Sequence, residues 1–181
     1  GYEVSIKKML RGKKNLSFIH SKIEDYKTTQ KFDLIVHLTV FEHMNNPKAG
    51  FDRIFALLEP DGVIFLTAPN KYWIFEQHYG LPFLGWLPLP LANLYLKLAK
   101  GVESYEDCSY SRGYGGMKSF FDRYDCEYEF IIPKDTSGAY VGCGNSQPLF
   151  SFIKWLGIRL IKMNPFFWNF SKGFIMIIRK K

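Results

Sequence analysis

The segment from Phe32 to Asn70 constrains this chain more than any other. Phe32-Asp33-Leu34-Ile35-Val36 is a short apolar run, rich in strand formers and too short for a helix, which predicts a strand buried on both faces. Asn46-Pro47 then offers an N-cap and a first-turn proline. Phe51, Ile54, Phe55 and Leu58 follow at i, i+3, i+4 and i+7, one apolar helical stripe. Pro60-Asp61-Gly62 predicts a stop and turn, and residues 63–66 a second buried strand. Strand, helix, strand in that order is a βαβ unit with a right-handed crossover. Ligands of such sheets sit beyond the carboxyl ends of the strands. Those ends carry His37-Leu38-Thr39, Glu42-His43 and Thr67-Ala68-Pro69-Asn70, so the polar residues lie where a site is expected.

Length and composition bound the rest. At 181 residues, with 47% of them apolar, the chain suits a single domain, 1–181, with a sizeable core. The 18% aromatic content predicts an aromatic core, with an apolar acceptor groove or a membrane-facing surface as the other uses. The net charge of +7 gathers at residues 7–14 and at Arg179-Lys180-Lys181. Such runs are solvated faces, or they attract anionic headgroups and phosphorylated substrates. Basic residues are not interleaved with aromatics on one stripe and no recognition module is visible, so nucleic acid is not an expected partner. Cys108, Cys126 and Cys143 are odd in number and lack metal-type spacing. That points to a reducing, cytoplasmic setting and away from a disulfide framework or a zinc site. Residues 80–96 are uncharged, but Pro82, Pro88 and Pro90 break them, against a spanning helix. Peripheral contact at the inner face of a membrane stays open, because this tryptophan-bearing segment is amphipathic.

Along the chain, residues 2–5 read as a strand end and 6–11 as a short helix. Residues 16–20 alternate apolar and polar side chains, which predicts an outer strand, and 22–31 a polar loop. Residues 71–116, rich in proline and aromatics, read as an insertion with a helix over 91–100. Met117, Phe120, Phe121 and Tyr124 mark another helix, 127–132 a strand, 151–162 a helix and 173–178 a last strand. Two glycine clusters, at 113–116 and 142–146, read as loop and turn.

On the tokens Phe32-Asp33, Phe41-Glu42-His43, Pro47, Leu57-Leu58-Glu59-Pro60-Asp61-Gly62 and Pro69-Asn70, the chain resembles class I S-adenosylmethionine-dependent methyltransferases. The likeness is to their small-molecule branch, including cell-envelope, glycan and quinone methyltransferases, and it covers about residues 1–130. It implies a Rossmann-like α/β sheet with helices on both faces and antiparallel last strands. It further implies S-adenosyl-L-methionine as cofactor and methylation, at oxygen, of a small-molecule acceptor such as a saccharide, lipid-linked or quinone-type compound. Mapped onto the family's seven strands, the chain supplies strands two to seven. The first strand and its glycine-rich loop are expected ahead of Gly1, so the chain reads as an N-terminally truncated fragment whose isolated activity is open.

The resemblance also assigns roles. Glu3 would accept hydrogen bonds from both ribose hydroxyls, as an acceptor-only carboxylate can. Lys22 stands where relatives carry an acid toward adenine, and Ile23 would pack on the base. The backbone of His37, Leu38 and Thr39 would line the methionine part, His37 having a core role as its alternative. His43 is a candidate base for the acceptor hydroxyl, and His78 a second. Asn70, Tyr72, Glu76 and Trp86 would belong to a substrate-side lid over 71–116. Some quinone methyltransferases hold a divalent metal with a Glu-x-x-Glu-His pattern; Thr39 replaces its first acid here, so no metal is expected. Two other classes remain open: a nucleotide-cofactor Rossmann enzyme of another kind, and a non-catalytic membrane-surface module.

Overall fold

The computed structural model describes residues 17–132 and 148–181. The expected strand at 2–5, the helix at 6–11, Glu3, the basic run at 7–14 and the 142–146 glycine cluster lie outside them.

Four strands form one open sheet: β1 (Phe32–Leu38), β2 (Leu58–Pro69), β3 (Cys126–Phe130) and β4 (Gly173–Lys180), in the order β1-β2-β4-β3. The first pair is parallel, and β4 runs antiparallel to both β2 and β3. This is a mixed α/β sheet of Rossmann-like kind. Helix α1 (Pro47–Leu57) makes the crossover between the parallel strands. Its start follows from local chemistry: Asn46 Oδ1 accepts from the Ala49 N–H at 3.2 Å, and Pro47 needs no donor of its own there. Gly50, Phe51, Ile54 and Leu57 are its buried face.

The expected turn at Pro60-Asp61-Gly62 takes another form. Phe32 pairs with Leu58 and Leu34 already pairs with Val63, so residues 59–62 bulge opposite Asp33 and pairing resumes beyond them. The bend is real, but it lies inside a strand and does not precede it. The expectation that β1 is buried on both faces is also corrected. Ile35 and His37 face α1, whereas Leu34, Val36 and Leu38 on the opposite face are about half exposed, at 57%, 55% and 50%. A parallel strand is covered twice only where layers flank both faces, and among the described residues nothing covers this one.

Other boundaries shift for identifiable reasons. No strand forms over 17–20, where Phe18 and Ile19 are exposed and unladdered. Glycines 113–116, expected as a loop, open helix α3 instead: α2 spans Leu89–Lys100, and α3 spans Tyr114–Phe121 with Gly113 at its N-cap. Burial of Met117, Phe120 and Phe121 holds that helix in place against its poor glycine propensity. Tyr124 lies past its end yet stacks on Phe55 at 4.7 Å. Helix α4 spans Pro148–Met163. Among the described residues, no helix is long and apolar enough to cross a membrane.

The core is aromatic. Phe41, Phe51, Phe120 and Phe121 meet largely edge to face with centroids 5.1–5.6 Å apart, the geometry that ring quadrupoles favour. Leu84, Ala92, Leu96, Tyr105 and Cys108 form a second, smaller core within the segment between β2 and α3.

Candidate functional site

At the carboxyl end of β1 the chain leaves the sheet abruptly. Thr39 has φ +48°, a left-handed conformation rarely adopted by a β-branched residue. Its N–H is held by the Thr67 carbonyl at 3.0 Å, with Thr67 Oγ1 at 3.2 Å, so the end of β2 fixes the bend. The bend throws the next residues into a 3-10 turn, Phe41–His43. Phe41 drops into the aromatic core, Glu42 is buried and His43 emerges. Backbone strain of this kind, about 1–3 kcal/mol, persists where surrounding structure enforces it, and functional sites are where it collects.

From the other side comes the segment after β2. Asn70 roots it: its buried amide nitrogen faces the carbonyls of Trp168, Asn169 and Ser171 at 3.2, 3.0 and 2.8 Å, and its Oδ1 accepts from the Tyr72 N–H. The side chain expected on the substrate side is therefore spent on backbone. Tyr72 and Trp86 pack edge to face at 6.1 Å, each about half exposed. Glu76 organises a tight turn by accepting from the His78 and Tyr79 N–H groups and facing His78 Nδ1 at 2.7 Å. Burial alone would raise the Glu76 carboxyl; the hydrogen bonds from His78 and from these amides outweigh it and hold the group below its ordinary range. In return Glu76 raises the His78 imidazole above its ordinary value, against a smaller opposing effect of burial.

The two expected histidines meet. His43 and His78 lie edge to face with centroids 5.1 Å apart. His43 Nδ1 is 2.7 Å from the Asp107 carbonyl, in the 3-10 turn Glu106–Cys108. That turn brings in a residue the sequence did not single out for chemistry: a ring nitrogen of each histidine and Cys108 Sγ all lie within 4.8 Å of one another. Burial, with Glu76 nearby, pushes the Cys108 thiol up to about 11. Glu42, next to His43 in the chain, is buried, its carboxyl raised by that burial and one oxygen without a partner among the described residues. Asp107 and Cys108 carry no local pattern; only the fold assembles them.

The other expected residues are placed as follows. His37 is buried against Phe51 at 5.4 Å, neither ring nitrogen having a partner among the described residues. Burial lowers its pKa to about 4, so its side chain is a neutral core group. Leu38 and Thr39 leave exposed chain at the end of β1. Ile23 packs over Gly50 against the core, while Lys22 is exposed and its carbonyl accepts from the Asp25 N–H. Arg112, also unanticipated, lies over the Phe41 and Phe120 rings at 5.8 and 5.1 Å, and its backbone pairs with Lys71.

The chain has relatives. Over 144 residues the chain is 26% identical to malonyl-[acyl-carrier protein] O-methyltransferase 2 of Ilyobacter polytropus, covering 80% of this chain and 55% of that protein. It is 28% identical over 94 residues to the ubiquinone biosynthesis O-methyltransferase of Rickettsia canadensis, covering 50% of this chain and 39% of the relative. The chain thus spans about half the length, or less, of the curated relatives it matches. The plantazolicin methyltransferase BamL, solved with a triazolic desmethylPZN analog and SAH, superposes with a TM-score of 0.52 at 17% identity, over 99% of this chain and 65% of that one. At that identity the likeness is one of fold. The methyltransferase domain model matches residues 2–123, well over half of the sequence. The chain therefore belongs to the methyltransferase domain family.

Proposed function

We propose that this chain is the acceptor-side portion of an S-adenosylmethionine-dependent methyltransferase that methylates a small molecule at oxygen. The observation that carries the reading is the strained exit at Thr39, which sets His43 opposite His78 beyond the carboxyl ends of a parallel strand pair. S-adenosylmethionine supplies an electrophilic methyl on a sulfonium. The exposed chain at Leu38 and Thr39 suits its methionine part. Ile23, drawn into the core beside Gly50, fits adenine less well, and Glu3 is the proposed ribose ligand.

The acceptor oxygen attacks the methyl carbon in line, the carbon–sulfur bond breaks with its electron pair going to sulfur, and the acceptor's proton passes to a base. Holding the partners in line supplies most of the rate. His78, raised by Glu76, and His43 would take the proton, a reading that their meeting at the strand ends supports. Tyr72 and Trp86 would form an aromatic wall toward the acceptor, a saccharide, lipid-linked or quinone-type compound. Residues 71–116 act as its lid.

Calorimetric titration of the intact protein with S-adenosylmethionine tests this reading. Saturable binding, weakened by Glu3→Ala, is expected; absence of binding by the intact protein would overturn it. A second reading, contact with an anionic membrane surface, draws on exposed Phe152, Ile153 and Trp155 beside Lys154 and Arg159 on α4. Flotation with anionic vesicles and not with neutral ones is its expected result, and flotation with neither would sink it.

A further inference from the structure

His43, His78 and Cys108 come from three separate segments: the turn after β1, the lid turn held by Glu76, and the turn that precedes α3. We propose that they form a binding site for a divalent metal of the zinc class, with one coordination position left open.

The donor set is the first reason. Two imidazoles and a thiolate are borderline-soft ligands that favour zinc over magnesium or calcium, and three protein ligands leave a tetrahedral ion one free position. The carboxylate-rich alternative is not built here, because Thr39 supplies no acid and Glu42 is buried.

The second reason is how the rings are held. Each Nδ1 faces an oxygen at 2.7 Å, the Asp107 carbonyl for His43 and the Glu76 carboxylate for His78. Neither oxygen can donate, so each Nδ1 must carry the hydrogen. Nε2 is then the free lone pair on both rings. A ligating histidine whose other nitrogen donates to a carbonyl or carboxylate is the usual outer-shell arrangement of a metal site.

The third reason is Glu42. Its residue is 2% exposed and Oε2 has no partner among the described residues. A buried carboxyl oxygen without a partner is costly, and since His43 and His78 already act on this carboxyl electrostatically, a cation held by them would offset part of that cost. Donors around a bound zinc stand roughly 3.3–3.6 Å apart, so the present spacing, within 4.8 Å, must contract. Both histidines are at the surface and can turn inward, while Cys108 is fixed in the lid core.

Metal binding does not depend on the proposed function; the use of the metal does. With both imidazoles ligating, neither could accept the proton. Held by His43, His78 and Cys108, the ion would supply Lewis acidity toward the acceptor oxygen at the open position, easing loss of its proton to solvent.

The test uses intact protein with reduced thiols, titrated with zinc against a chromophoric chelator and separately with cobalt(II). One metal per chain is expected, with a thiolate-to-cobalt charge-transfer band that Cys108→Ser abolishes. His43→Gln and His78→Gln, both at the surface, should each lower zinc affinity at least about 10-fold, with unfolding temperature unchanged. No binding, cobalt binding without the thiolate band, or unchanged affinity in both histidine variants would each overturn the site. The two claims separate cleanly: zinc bound without S-adenosylmethionine supports the site and defeats the transferase reading, and the reverse result does the opposite.

Discussion

The imidazoles of His43 and His78 meet edge to face at 5.1 Å, and each is anchored through Nδ1 to an oxygen of the segment between β2 and α3. Their geometry is therefore as stable as that segment. Whatever loosens residues 71–108 separates them, even if the sheet is untouched.

Gly85 gives one way to do that. A Cβ there would stand 2.8 Å from the backbone carbonyl of Lys71, which cannot swing aside as a side chain can. Gly85→Ala should destabilise the segment between β2 and α3 by about 1–3 kcal/mol. Hydrogen exchange should show faster exchange across that segment, with β2 and β4 protected as before. Uniform protection in the variant would refute the claim.

Asn70 ties the root of the segment after β2 to the segment before β4. Asn70→Ala removes the side-chain donor from the Asn169 and Ser171 carbonyls, while the Trp168 carbonyl keeps its bonds from Ser171, at a cost of about 1–3 kcal/mol for each group stranded in the interior. Asn70→Asp should rescue little, since a carboxylate cannot donate. Denaturant unfolding measures both; a midpoint unchanged in Asn70→Ala would rule the brace out.

Thr39 holds a left-handed backbone that glycine adopts freely, and the bonds that fix the bend come from its backbone N–H rather than its side chain. Thr39→Gly should stabilise the fold by about 1 kcal/mol, and Thr39→Ala should not. Thermal unfolding of the pair checks the strain directly, and equal shifts in both variants would contradict it.

His37 makes stability depend on pH. Its folded pKa, about 4, lies below the ordinary 6.5 because burial disfavours the charged ring. Between those values the unfolded chain binds more protons, so stability rises with pH. The contribution is complete above about 6.5 and is lost as pH falls toward 4, by roughly 3 kcal/mol in all. His37→Leu should flatten that window. An unchanged pH profile in this variant would show that His37 is not the group responsible.

The βαβ unit was legible because its signals are local: an apolar run, an Asn-Pro cap, a stripe of the right period. The structure brings His43 and His78 together beyond the carboxyl ends of that parallel pair, the end at which the sequence gathers its polar residues. What escaped depends on other layers. Pro60-Asp61-Gly62 announces a bend but cannot say that pairing resumes on both sides of it. Alternation in Leu34, Val36 and Leu38 cannot say which face finds a cover. Glycines 113–116 break a helix by propensity, yet the burial of Met117 and Phe120 carries the helix back through them. Cys108 and Asp107 reach the histidines only through the folded segment between β2 and α3, so no spacing could have predicted them.

One consequence of the β4 insertion reaches beyond the site. The methyltransferase domain model matches only as far as residue 123, but the strand between β2 and β3 lies at 173–180, and Asn70, at the root of the segment after β2, hangs from 168–171. The matched stretch and the mechanical unit thus have different borders in this protein. Trimming it to the matched stretch would not yield a minimal version. It would take out the middle plank of the sheet, and the segment after β2 would come loose from the far end of the chain.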